Sequence, residues 1–350
     1  MRVLVTGATG LVGCHAVARL VAEGHTVRAL VRDEPKLERV LEPFGVDLGR
    51  VEAFRGDILE RASVDAAVRD CEAALHCAGF YSHEPRLQDE LQRTNVVGAE
   101  NILSRAVEAG LDPVVHVSSM LALLPSPGPI MRAEDPVATP QSIYARTKAD
   151  AERVARRLQD RGAPLVTVYP ASVQGPHDPT VVTGVRTGPH TIANHVRTGR
   201  VLVTQGGLAY TDVRDLARVL ESVLRPGLGP RRYPFGGPFL THAEYHALLC
   251  EITGRPLKAD RIPASVLRLL GWVGDLRQRL FGTWVELDGD AALVFTRSVP
   301  LDDTRVRNEF GIEPMSAHDS FRDLLRWMLE AGMLEADHAP RLANPATSPS

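Results

Sequence analysis

Thr6-Gly7-Ala8-Thr9-Gly10-Leu11-Val12-Gly13 follows a short β-branched run, Arg2 to Thr6, and opens a segment with helical apolar spacing, Val12 to Glu23. Glycines at this spacing between a strand and a helix serve three separate needs. Gly7 permits a sharp turn, Gly10 lets the backbone approach a pyrophosphate, and Gly13 lets the helix pack closely on the sheet. The N–H groups and the positive end of the helix then hold the phosphates. The turn commits the chain to a βα unit and makes Gly7, Thr9, Gly10, Leu11 and Val12 candidate contacts of a dinucleotide.

The rest of the first 120 residues repeats this alternation, the order expected of βαβ units. Further strands are predicted at Thr26 to Val31, Val51 to Arg55, Ala73 to Cys77 and Val114 to Ser118, and another at Leu165 to Tyr169. Helices are predicted at Ser63 to Arg69, Leu87 to Gly110 and Ser142 to Gly162. The expected fold class is therefore α/β, a doubly wound parallel sheet. Residues 1–175 form the dinucleotide-binding domain in this reading, with a strand and helix returning around 200–225, and 176–332 form mainly a smaller C-terminal substrate lobe. Helices are expected at Tyr210 to Leu224 and Asp319 to Gly332, with Asp212 as a cap, and Ala336 to Ser350 reads as a disordered tail.

The end of the second strand distinguishes the two nicotinamide cofactors, because NAD sites place an acid on the ribose hydroxyls and NADP sites place a base on the 2′-phosphate. Val27-Arg28-Ala29-Leu30-Val31 is followed by Arg32 and then Asp33. Arg32, a planar donor fork, favours NADP. Asp33 lies about twenty residues past Gly13, the usual offset of the NAD acid, and keeps NAD open.

A second constellation carries chemistry. Tyr144-Ala145-Arg146-Thr147-Lys148 lies in a long predicted helix, where the i,i+4 spacing puts phenol and ammonium on one face. Lysine occurs only at positions 36, 148 and 258, so the choice of lysine over arginine at 148 points to a need for an ammonium. Upstream, Val117-Ser118-Ser119 ends a strand at the carboxyl edge of the sheet, where α/β folds bind ligands. A phenol has an ordinary pKa of about 10, and an ammonium one turn away is expected to lower it. Tyr144 then exchanges a proton with a carbonyl or alcohol oxygen, held by Ser119, as a hydride moves.

Together these motifs resemble the extended short-chain dehydrogenase/reductase family, within its epimerase/dehydratase superfamily and its dihydroflavonol reductase-like and 3β-hydroxysteroid dehydrogenase-like branches. The resemblance covers roughly residues 1 to 220 and fades toward 332. It implies a Rossmann fold in which Thr6 to Gly13 binds pyrophosphate, Gly56-Asp57-Ile58 contacts adenine, and Cys77-Ala78-Gly79 lines the cofactor cleft. It further implies that Asn95 supports the active site, that Ser119, Tyr144 and Lys148 are catalytic, and that Pro170-Ala171-Ser172-Val173 flanks the nicotinamide. Ser119 rather than Ser118 matches by its offset from Tyr144, and Lys148 also takes the nicotinamide ribose. Relatives often dimerise through the two long helices, so a homodimer is one option.

Departures narrow the reaction. Where sugar-nucleotide enzymes of the family commonly carry Arg-Pro and Val-Tyr-Gly-Pro, this chain has Tyr169-Pro170 and Val173-Gln174-Gly175-Pro176. Where sugar dehydratases carry an Asp-Glu pair, Ser119 is followed by Met120-Leu121-Ala122-Leu123-Leu124. The expectation is an NADP-preferring oxidoreductase of a small, fairly apolar carbonyl or secondary alcohol. The rivals are an epimerase or dehydratase that uses the cofactor transiently, and a non-catalytic dinucleotide sensor, which typically lacks the tyrosine and lysine.

Composition excludes other classes. A formal charge of -3 over 350 residues offers no field for nucleic acid, and Cys14, Cys71, Cys77 and Cys250 show neither disulfide nor metal spacing. His177, Asp178, His190, Asn194 and His195 lack metal-ligand geometry, so no metal is expected. His116 reads as a packed core histidine. The start of the chain has no signal-peptide pattern and no apolar run reaches about 18 residues, which predicts a soluble cytoplasmic protein without stable membrane insertion. An apolar stripe from Val266 to Phe281 invites a membrane-surface reading, but core or pocket-wall packing is the expected fate of such a helix.

Overall fold

The structure, a computed structural model, describes residues 1–82, 84–180, 188–281 and 287–343. Its N-terminal half runs β1 (Arg2–Thr6), α1 (Leu11–Ala22), β2 (Thr26–Val31), α2 (Glu34–Leu41), β3 (Val51–Arg55), α3 (Arg61–Ala67), β4 (Ala73–His76), α4 (Gln88–Gln92), α5 (Gly98–Glu108), β5 (Val114–Val117), α6 (Ile143–Asp160) and β6 (Leu165–Pro170). Then come β7 (Ser172–Gln174), α7 (Gly188–Thr198), β8 (Arg200–Val203), β9 (Gly207–Asp212), α8 (Val213–Ser222), β10 (Arg231–Phe235), β11 (Phe239–Thr241), α9 (His242–Thr253) and β12 (Lys258–Arg261). The chain closes with α10 (Ala264–Phe281), α11 (Gly289–Arg297), α12 (Thr304–Phe310), α13 (Ala317–Glu330) and α14 (Pro340–Ala343).

Seven strands form one sheet in the order β10-β6-β5-β4-β1-β2-β3, and every pairing in it is parallel. Strand order reverses at β1, the switch point where doubly wound sheets open a crevice for a ligand. The central strands are buried on both faces, which explains their continuous Val/Leu runs. One face carries α1, α2 and α8 around Val5, Val17, Leu20 and Leu216. The other carries α3, α5 and α6 around Leu4, Ile102, Leu103 and Leu165. Each such fully buried aliphatic side chain contributes about 1.5–3 kcal/mol.

A third core, built by Val196, Tyr245, Leu249, Phe321 and Met328, gathers α7, α9 and α13 into the C-terminal lobe. Two small sheets, β11-β9-β7 and β12-β8, lie outside the large one.

Several sequence expectations shift. The window 200–225 holds strands of the small sheets, and the strand that rejoins the large sheet is β10, later in the chain. The helix expected from Tyr210 starts only at Val213, because Tyr210 and Thr211 continue β9 and Asp212 caps the helix by accepting from the Arg214 N–H at 2.9 Å. The single helix expected over Leu87–Gly110 runs continuously from Gln88 to Glu108 but is widened by a π-turn at Arg93–Val97 between α4 and α5. The tail expected from Ala336 is ordered as far as Ala343. There Arg341 donates to the Glu251 carbonyl and Leu342 packs on the lobe core; the rest of that tail lies outside the described residues.

The largest correction concerns α10. Its stripe does not enter the core: Leu269 is 60%, Trp272 59%, Leu280 67% and Phe281 72% exposed. The helix meets the body through the opposite, small-residue line of Leu267, Gly271 and Gly274. A Cβ on Gly271 would come within 2.7 Å of Ala292 Cβ and of the Asp288 carbonyl oxygen, so the backbone itself packs against α11.

Candidate active site

Because the large sheet is parallel, all six strand ends named as candidate positions emerge on one edge. Gly7 leaves β1 in the left-handed region at φ +73°, where a Cβ would come within 2.6 Å of the Ala78 nitrogen. A Cβ on Gly13 would fall 2.0 Å from the Gly7 carbonyl oxygen. Gly10 differs: a Cβ there would meet nothing of the protein nearer than 3.5 Å. Protein packing does not require a glycine at 10, and that free cradle fits a phosphate. Gly10 caps α1 without a side-chain hydrogen bond and the first turn has no acid, so the starting N–H groups beside half-buried Thr9, Leu11 and Val12 suit an anion.

Neighbouring strand ends close around this turn. The Cys77 N–H donates to the Thr6 carbonyl at 3.1 Å, bringing Cys77, Ala78 and Gly79 across the end of β1. The Gly56 N–H donates to the Val31 carbonyl at 2.9 Å, setting Asp57 and Ile58 beside the end of β2. Ile58 in turn occupies the space that a Cβ on Gly98 would need. Arg32 is exposed and forms no ion pair among the described residues, whereas Asp33 is engaged as the cap of α2, accepting from the Lys36 N–H at 3.0 Å. On the far side Pro170 ends β6, and Ser172 and Val173 pair with β9.

The reactive candidates stand between these groups. Ser119 is half-buried just past β5, its hydroxyl accepting from the Leu121 N–H at 3.2 Å. Ser118 faces inward and donates to Glu152 at 2.9 Å. The two adjacent serines are thus separated by burial: one is committed to the interior, the other remains at the edge. Lys148 reaches from α6 to donate to the Val117 carbonyl at 3.2 Å. Burial lowers its pKa to about 8 against the opposing pull of Glu152. Burial raises the Tyr144 pKa above the ordinary phenol value, and Tyr81, edge-on at 4.7 Å, adds to the rise. The expected lowering by Lys148 is therefore not met; burial dominates and leaves Tyr144 a weaker acid than a free phenol.

Asn95 sits in the π-turn and joins three elements. It accepts from the Phe80 N–H at 2.6 Å, donates to the Phe80 carbonyl and donates to the Thr147 hydroxyl, which donates to the Tyr144 carbonyl. Widening the helix by one residue there places this amide between the loop after β4 and the turn of α6 that bears Tyr144.

Sequence reasoning missed four groups. Glu152 is fully buried and accepts from Ser118, Tyr169 and Arg156, anchoring α6 behind Lys148. Its signal was present, since Tyr144, Lys148 and Glu152 recur every four residues. Tyr81 has no such spacing. Asp290, which accepts from the Ser142 N–H at 2.7 Å, holds the start of α6 from 148 positions away. His76 stacks at 5.6 Å on His116; burial lowers the His76 pKa to about 3 and pushes His116 well down, so both rings are neutral, and neither His116 nitrogen has a hydrogen-bond partner among the described residues. Among the described residues no group of three or more His, Cys, Asp or Glu side chains could hold a metal.

Comparison with known proteins agrees with this frame. Residues 3–236 match the family model described as NAD dependent epimerase/dehydratase family. The chain is 29% identical to sterol demethylase protein B of Methylococcus capsulatus, over 95% of this chain and 100% of that protein. It is 28% identical to a 4-hydroxy-2-methyl-3-oxo-4-farnesyl-3,4-dihydroquinoline-1-oxide ketoreductase of Stigmatella aurantiaca, over 97% and 99%. The crystal structure of gox2253 superposes with a TM-score of 0.78 at 25% identity, covering 95% of this chain and 99% of that one. With a glycine turn at the switch point of a seven-stranded parallel sheet, the chain belongs to the NAD dependent epimerase/dehydratase family and is an oxidoreductase of the extended short-chain dehydrogenase/reductase type.

Proposed function

We propose that the protein is an NADP-preferring reductase of a small, fairly apolar carbonyl compound, working through Ser119, Tyr144 and Lys148. The observation that carries this reading is the half-buried phenol of Tyr144 one turn before Lys148 on α6, with Lys148 bonded to the end of β5 just before Ser119. A bound nicotinamide dinucleotide supplies the hydride. Tyr144 donates its proton to the substrate oxygen, and Ser119 steadies that oxygen as charge develops. Lys148 would hold the ribose hydroxyls with its remaining N–H donors, and its ammonium stabilises the phenolate left by proton transfer until water re-protonates it. Met120, Leu123 and Leu124 follow Ser119 into an apolar cluster with Tyr169 and Leu301, and they provide no carboxylate for sugar dehydration. The names of the two similar proteins, a sterol demethylase component and a ketoreductase of a farnesyl compound, support an apolar substrate.

Arg32 supports the cofactor preference, being exposed at the end of β2 while Asp33 is occupied as a cap. Binding titrations are expected to give tighter association of NADPH than NADH, and Arg32→Asp to reverse that order. Equal affinity of the unaltered protein for the two cofactors sinks the NADP assignment.

The serines provide a test of the site itself. Ser119→Ala is expected to slow turnover by roughly 10²–10³-fold, as removal of a donor to a developing oxyanion does, and to cost no more than about 1 kcal/mol of stability through the lost bond to the Leu121 N–H. Ser118→Ala leaves Glu152 short of one donor and is expected to cost about 1–3 kcal/mol of stability. Turnover and thermal unfolding of both variants separate the roles, and a catalytic loss confined to Ser118→Ala reverses the assignment.

A further inference from the structure

We infer that α10 is a docking surface for the anionic headgroup region of a lipid bilayer, on which the protein rests without crossing it. Among the described residues, eight of the eleven exposed large apolar side chains lie on this one helix. They fill about half of its circumference, centred opposite the line of Leu267, Gly271 and Gly274 that meets the body. A folded helix ordinarily hides such a face. Here the packing is reversed, with glycines turned inward and Leu269, Trp272, Val273, Leu276, Leu280 and Phe281 turned outward.

Charge identifies the occupant. Arg268 and Arg277 are exposed on α10, and its one acidic residue, Asp275, is turned to the body, where it accepts from the Gly289 N–H at 3.0 Å. Arg268 beside Trp272 at one margin and Arg277 among the apolar side chains give this face a net positive charge, which together with an outward Trp is the composition of a helix lying in a headgroup layer. Long arginine side chains can extend to phosphates while the apolar side chains sink beneath them. A second copy of this chain fits less well, since a twofold contact would bring the arginines of both helices together without an exposed carboxylate on either helix to pair with them. Spanning is excluded for the described helices, none of which is long and apolar enough to cross a membrane.

The surface is one helix away from the candidate site. α10 packs against α11, whose Asp290 holds the N–H groups of Gln141 and Ser142 at the start of the Tyr144 helix. The inference does not rest on the proposed reductase chemistry, because its readout is lipid binding.

The test is cosedimentation of the full chain with vesicles of phosphatidylcholine alone or mixed with phosphatidylglycerol. Binding to the mixed vesicles is expected, weakening with added salt. The combined variant Leu269→Ser/Trp272→Ser/Leu276→Ser is expected to lose at least about 10-fold in partitioning, and Arg268→Glu/Arg277→Glu about 5-fold or more per arginine. All five side chains are exposed, so thermal unfolding of both variants should match that of the parent and exclude misfolding as the cause. No cosedimentation with either vesicle, or unchanged binding by the triple variant, overturns the inference. Equal binding to pure phosphatidylcholine overturns the choice of an anionic surface. A dimer dispersed by the same substitutions, without vesicle binding, assigns the face to a second copy instead.

Discussion

Tyr144→Phe is expected to turn over at least about 10²-fold more slowly than the unaltered protein while binding dinucleotide with undiminished affinity. The substitution keeps the ring that packs edge-on against Tyr81 and removes only the hydroxyl. The phenol carries its proton at neutral pH, as carbonyl reduction requires, and because burial makes it a weaker acid, its proton transfer depends on a neighbouring cation to stabilise the phenolate. Lys148→Ala is expected to harm both turnover and cofactor binding if, as proposed, the same ammonium serves the phenolate and the ribose, and its effect should not add to that of Tyr144→Phe. Steady-state kinetics with a substrate from a carbonyl screen, together with NADPH titration of each variant, check this. Near-normal turnover of Tyr144→Phe refutes the role given to the phenol.

The glycines of the first turn should separate binding from folding just as sharply. Gly10→Ala places a methyl group where the protein leaves room, at an extended backbone conformation (φ -104°, ψ 170°) that alanine accepts. Stability should change by no more than about 1 kcal/mol, but the methyl intrudes on the phosphate cradle, and NADPH affinity should fall at least about 10-fold. Gly13→Ala drives a Cβ to 2.0 Å from the Gly7 carbonyl oxygen, so helix and turn must part. That variant should lose about 1–3 kcal/mol of stability and its binding as well. Calorimetric titration with NADPH beside thermal unfolding reads both quantities. Full affinity in Gly10→Ala contradicts phosphate binding at this turn.

Local spacing made the turn and the Tyr144–Lys148 pair legible in the sequence, because both depend on residues a few positions apart within one strand or helix. The strand ends that gather at the site were legible for the same reason, each being a short β-branched run before a loop. What stayed hidden depends on distant contacts. Asp290 bonding at Ser142 and Tyr81 packing edge-on against Tyr144 leave no periodic trace. The π-turn at Asn95 widens a stretch whose apolar spacing reads as unbroken helix. In α10 periodicity located the apolar face but not its fate; the neglected signal was Gly271 and Gly274 on the opposite side, small residues that let the backbone approach a neighbour. The composition of Ala336–Ala343 suggested disorder, yet Leu342 packs on the lobe core and Ala339 is fully buried.

The central claim is net hydride transfer to a carbonyl with Tyr144 as proton donor, and the most direct measurement follows nicotinamide absorbance and product together. The unaltered protein and Tyr144→Phe are each given NADPH and a panel of ketones, aldehydes and hydroxysteroids. The account predicts one nicotinamide oxidised for each carbonyl reduced, with the rate lost in Tyr144→Phe. Product formed with no net change in nicotinamide absorbance, the signature of an epimerase or dehydratase that uses its cofactor transiently, would contradict it.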